Sequence, residues 1–248
     1  MGRLEFGETW VYESIVTALP GIDVSRPFAI GLQLVLFQVG ITLIWWVYDF
    51  PTETLLAGTA AVVVATLGSV EMLRISDLVR SERLPDAYQR LLFGSSIEVV
   101  LAVLAFIALV TYLFTAGTPE TPSLVDRLFG TEPPVVAVYL TLLVLWDVCY
   151  RIGTAWWAAV VALWRSVRYR FDEGTARVLR RADLEVVGFA TAQLVLVPFV
   201  RDQTVIVAVI VGHVVAVWLV AGLSAVLVTT RAEVDEATDT GVNATARE

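Results

Sequence analysis

The sequence predicts an all-α, polytopic integral membrane protein, a bundle of six transmembrane helices preceded by an N-terminal interfacial helix. Three observations carry this reading. The 248 residues are 57% hydrophobic and only 17% charged, with a mean hydropathy of +0.75, far from the balance of a water-soluble domain. Apolar runs recur that are long enough to cross a bilayer core, which takes roughly 20 helical residues. The arginines crowd into alternate connections between those runs, as short cytoplasmic loops do.

Residues 1–27 read as a cytoplasmic segment. Within it, Glu8 to Leu19 sets Val11, Ile15 and Leu19 at helical spacing beside Trp10, with Glu13 and Thr17 elsewhere on the wheel, the pattern of a helix lying in the interface. The membrane domain covers 28–230. Its first span, 28–48, has no charge and ends in Trp45, Trp46 and Tyr48, amphipathic rings suited to the headgroup level. The second, 54–73, carries Ala57, Ala61, Ala65 and Ser69 at four-residue spacing, a small-residue stripe that lets another backbone come close. The third, 91–114, is interrupted by Glu98. The fourth, 134–164, holds Asp147 and Arg151 and would be about 46 Å long as a helix. Trp156, Trp157 and Trp164 near its end read as interface anchors. The fifth, 186–200, is short and contains Pro198; the sixth, 203–230, contains His213. Gln33, Glu98 and Gln193 occupy comparable early positions in the odd spans, a loose internal similarity. Residues 231–248 read as a disordered acidic cytoplasmic tail.

Orientation follows from the arginines. Arg74, Arg80, Arg83 and Arg90 follow the second span, and Arg165, Arg168, Arg170, Arg177, Arg180 and Arg181 follow the fourth. Arg3, Arg26, Arg231 and Arg247 fall on that same side, against only Arg127 and Arg201 on the other. Both termini are therefore expected in the cytoplasm, in the cell membrane.

Several function classes are excluded. All 17 basic residues are Arg, and the net charge of −8 argues against a nucleic-acid partner, which needs clustered accessible cations. The acidic surplus is also what a salt-adapted (halophilic) source produces. Cys149 and His213 are the only residues of their kinds, so this chain alone supplies neither a disulfide, nor a bis-His haem, nor a His/Cys zinc cluster. No nucleophile elbow or phosphate loop is present, and Glu71 and Asp77 in EMLRISDLVR do not make a metal-ligand set. Neither catalytic residues nor a cofactor are expected. The glycine filter of potassium channels, a mitochondrial-carrier motif and a lipid phosphotransferase signature are also missing from the sequence.

The candidate functional residues are the four ionisable groups inside the spans: Glu98, Asp147, Arg151 and His213. Asp147 and Arg151 are four residues apart and share a helix face, so they can pair. Glu98 has no partner at helical spacing in its own span; its expected partner is Arg151 or a proton. Charges at this depth are costly and mark pathways or structural locks. Two readings follow: transport or conduction of a small ion or solute through this polar site, or a non-catalytic scaffold whose charges only fix the helices. Expected partners are the lipid bilayer and a second copy or another subunit docked on the stripe of Ala57, Ala61, Ala65 and Ser69.

Overall fold

The computed structural model describes residues 25–117 and 122–232. The interfacial segment at Glu8 to Leu19 and the tail beyond residue 232 lie outside the described residues. Those described are helical: α1 Arg26–Val47, α2 Thr52–Arg80, α3 Asp86–Phe93, α4 Ile97–Thr115, α5 Leu124–Phe129, α6 Val135–Arg168, α7 Glu173–Ala192, a 3-10 segment Gln193–Phe199, and α8 Thr204–Thr230. Six helical stretches are long and apolar enough to cross a membrane, with α3 and α4 together making one and α7 with the 3-10 segment another.

Proline sets several of the starts. Pro51, Pro85 and Pro134 immediately precede α2, α3 and α6, and Pro27 lies in the first turn of α1, where the missing N–H costs nothing. The start of α7 is capped by Asp172, whose Oδ1 accepts from the Thr175 backbone N–H at 2.9 Å. That hydrogen bond holds the exposed Asp172 carboxyl below its ordinary range.

Two runs differ from the expectation. The third is not continuous. Gly94, Ser95 and Ser96 are poor helix formers, Ser96 turns left-handed at φ 53, and the helix restarts at Ile97. Glu98 therefore sits in the first turn of α4, where unpaired backbone N–H groups offset a carboxylate's charge. Its distance from Arg90 is not that of one straight helix. The fifth run is the far end of a longer helix that begins at Glu173 and tightens into the 3-10 segment. Pro198 lies inside that segment; its ring would collide with the carbonyl of Leu194 in a continuing α-helix. Gln193 thus comes at the end of α7, not near the start of a span, and the internal similarity with Gln33 and Glu98 dissolves.

Packing differs between the two ends of the bundle. Toward the Arg-rich loops, one continuous core joins α2, α3, α4, α6, α7 and α8 through Met72, Tyr88, Leu92, Ala159, Leu179 and Val217. Toward the other end the core splits in two. Ile41, Val62 and Val144 form one cluster, and Leu113, Val125 and Ile206 the other. That end is closed by Arg127 of α5, whose guanidinium donates to Asp202 at 2.6 Å and to the Phe199 carbonyl at 2.6 Å, and pairs with Glu53 at 3.1 Å. The small-residue stripe of α2 is used within the chain: Ala65 and Ser69 are buried, while Ala57 and Ala61 line the space between the split clusters. Large apolar side chains instead cover the outside of α1, including Phe28, Val35, Leu36 and Trp46.

Candidate functional site

The four predicted site residues fall in three places. Asp147 and Arg151 come together on α6, with Nη2 of Arg151 2.8 Å from Oδ1 of Asp147. Gln33 of α1 donates to the other Asp147 oxygen at 2.6 Å. Arg151 is fully buried, with Nη1 3.4 Å from the sulfur of Met72 and its guanidinium 5.6 Å from the Tyr150 ring centroid. What lets a guanidinium in so deeply is Gly68 of α2. A Cβ there would lie 2.7 Å from both the Arg151 Cβ and the Phe189 ring. Along α6 the same face continues as Ala155, Ala158 and Ala162, all buried, and ends at Arg165.

Glu98 is on the other side of that helix. Gly153, about 200° around α6 from Arg151, is where α4 makes its approach: a Cβ on Gly153 would stand 3.0 Å from the Ala102 backbone nitrogen and 3.2 Å from the Glu98 carbonyl oxygen. The Glu98 side chain is completely buried, and neither carboxylate oxygen has a hydrogen-bond partner among the described residues. The expected pairing of Glu98 with Arg151 is therefore not formed. Arg151 already has Asp147, and the body of α6 stands between.

His213 of α8 lies apart from both, with its ring centroid 5.9 Å from that of Trp156. It lines a cavity of about 370 Å³, the space around which the core splits. The walls are aliphatic and aromatic, including Ile41, Leu109, Val144, Leu196, Phe199 and Ile210. Among the described residues, no Asp, Glu or Arg lines it; the polar lining residues are Trp45, Thr54, Thr141, Cys149, Gln193 and His213. At the end of the bundle the Tyr112 hydroxyl of α4 donates to Gln203, just before α8, at 3.2 Å. About two turns further in, Ala105 of α4 and Val209 of α8 line the cavity yet are exposed on the outside of the bundle. The cavity therefore has an edge on the lateral surface, between α4 and α8.

Two buried polar features were not predicted. Arg165, which the sequence places in an Arg-rich loop, is 1% exposed inside α6. It donates to the Tyr88 hydroxyl at 2.8 Å, to Asp183 at 2.7 Å and to the Leu179 carbonyl at 3.2 Å. Ser224 donates to the second Asp183 oxygen at 2.8 Å and stands 3.0 Å from the Ser166 hydroxyl. This network locks α3, α6, α7 and α8 together. The signal for it was Asp183 itself, a carboxylate on the apolar stripe Ala176, Leu179, Val186, Ala190. The other feature is Glu71 of α2, buried close enough to Arg151 and Glu185 to feel their charge. Glu185 in turn pairs with Arg74 at 2.7 Å. Trp157 also donates to the Leu91 carbonyl at 2.9 Å and so ties α6 to α3. Among the described residues, no three His, Cys, Asp or Glu side chains gather as a metal site would require.

The model of a family of unknown function, DUF7530, matches residues 5–224. The chain belongs to this family. No curated protein and no solved structure matches it.

Proposed function

We propose that this family member is a six-span integral membrane protein that takes a neutral, mainly apolar molecule from the bilayer into the cavity between α1, α2, α4, α6, the 3-10 segment and α8. The observation that carries the reading is the cavity wall. It is apolar, it holds no Asp, Glu or Arg among the described residues, and its edge between Ala105 and Val209 is on the surface that lipid would cover. Its 370 Å³ fall within the range of small-molecule sites, and are about 2.5 times the ~150 Å³ of a dry cavity that holds benzene. Conduction of a small ion through Glu98, Asp147, Arg151 and His213 has less support, because those groups do not share a cavity. The alternative, a scaffold whose charges only fix the helices, is favoured for one part of the molecule: the Arg165 network is sealed and internally hydrogen-bonded.

In this reading the Arg-rich loops and both termini are cytoplasmic, and any second copy docks on the apolar outside of α1 in place of the α2 stripe. Single cysteines introduced at Arg170 and Glu132 test the orientation: a membrane-impermeant maleimide added to intact cells should label Glu132→Cys and spare Arg170→Cys. The cavity is tested with diphenylmethane, a purely apolar two-ring probe. A ligand that binds only the folded state raises the melting temperature, so the probe should stabilise the detergent-solubilised wild type but not Ala61→Phe, whose ring occupies the cavity. A wild type indifferent to the probe would overturn the reading.

A further inference from the structure

Resting on that cavity reading, we infer that Gln193 and His213 are its selective contact, and that they choose a neutral membrane-soluble molecule carrying a hydrogen-bond-accepting oxygen. Both residues line the cavity, and both lie about two helical turns deeper than Val200 and Ile206, which line it near its end. The Nε2 atoms of Gln193 and His213 are buried, and neither has a hydrogen-bond partner among the described residues. Gln193 is 2% exposed, so bulk water does not solvate its amide. A buried donor without an acceptor is costly, and such groups recur where something else completes them.

The donor balance then specifies the ligand. A carboxamide nitrogen offers two hydrogens, and the terminal amide torsion is soft enough to turn them into the cavity. Trp45, also in the wall, adds an indole N–H that is donor only and likewise unpaired. Neutral His213 can donate or accept. The Thr54 hydroxyl spends its hydrogen on the Leu128 carbonyl at 2.7 Å, so it adds no further donor to the wall. The buried N–H groups of Gln193 and Trp45 are therefore left without acceptors among the described residues, and a ligand oxygen would supply one.

The same wall rejects charge. Arg127, the cation nearest in sequence to the lining residues Leu124, Val125, Leu128 and Phe129, is held by Glu53, Asp202 and the Phe199 carbonyl, and Arg151 by Asp147. A carboxylate or phosphate in the cavity would lose its hydration without gaining a counter-ion. Ketone, ester and ether oxygens on an apolar body fit; ionised headgroups do not.

A matched pair of probes tests this. Benzophenone and diphenylmethane differ by one carbonyl in place of a methylene, and phenyl benzoate adds an ester arm. Apparent dissociation constants come from the dependence of melting temperature on probe concentration. Wild type should bind benzophenone or phenyl benzoate about threefold to tenfold more tightly than diphenylmethane, as one added hydrogen bond provides. Preference for the ketone points to a ring ketone dissolved in the bilayer, and preference for the ester to a glycerolipid. Gln193→Met and His213→Phe, which keep the bulk and remove the polar atoms, should bring the ratio toward one. Equal binding of all three by wild type would overturn the inference while leaving the cavity reading intact, and this arm needs no variant to fold. A ratio unchanged in both variants would also overturn it. No binding of any probe would remove the cavity reading as well.

Discussion

Gly153→Ala should destabilise the protein, although alanine is the better helix former. The intrinsic gain is about 1 kcal/mol for replacing a glycine inside a helix. Against it stands the close approach of α4. The new methyl would meet the Ala102 nitrogen at 3.0 Å, the Glu98 carbonyl oxygen at 3.2 Å and the Ala102 Cα at 3.3 Å. All three are backbone atoms, so no side chain can turn aside and α4 must move as a body. Overpacking of this kind costs about 1–3 kcal/mol, at times more; with a rigid neighbour the upper part of that range applies, leaving a net loss of about 1–2 kcal/mol. Gly188 in α7 is the internal control, since a Cβ there meets nothing within 4 Å and Gly188→Ala should gain up to about 1 kcal/mol. At about 2–4 °C per kcal/mol for a chain of this size, the two variants should separate by about 4–12 °C in detergent melting followed by circular dichroism. Equal melting temperatures, or a Gly153→Ala variant more stable than Gly188→Ala, would refute the packing of α4 on α6.

The Arg165 network should behave as a unit. Arg165→Met strands the Asp183 carboxylate and should cost about 3–5 kcal/mol, whereas adding Asp183→Leu should recover part of that loss; strictly additive losses in chemical unfolding would contradict the coupling. Asp172 gives a pH dependence. Its carboxyl is held low in the folded state by the Thr175 N–H, so the stability it contributes is full above the ordinary carboxylate range. That contribution is lost as pH falls from about 4 through the lower folded value. Asp172→Asn keeps the cap but not the charge, and should flatten the acid limb of a melting-versus-pH curve; an unchanged limb would count against the cap as its source.

Much of the helix plan was legible, because a charge-free run of twenty or more residues has few alternatives in lipid. The Asp147–Arg151 contact was legible for a similar reason, since four-residue spacing fixes a shared face whatever the surroundings. Glu98 shows where such reasoning stops. Its hydropathic neighbourhood says that it is buried, but only the left-handed turn at Ser96 and the approach at Gly153 place it on the far face of α6 from Arg151. Arg165 was misplaced because the fourth run was ended at Trp164, whereas α6 continues to Arg168 and turns Arg165 inward onto Asp183. The cavity could not be read at all. It arises from how the tightened end of α7 and the split of the core leave space beside His213, and no local pattern records a void.

Native mass spectrometry of the protein released from its own membranes tests the central claim most directly, namely that the cavity takes a neutral molecule from the bilayer. Wild type should carry a one-to-one adduct that leaves without altering the charge of the protein ion, and Ala61→Phe, purified alongside, should be bare. A wild type with no adduct, or the same adduct retained by Ala61→Phe, would contradict the account.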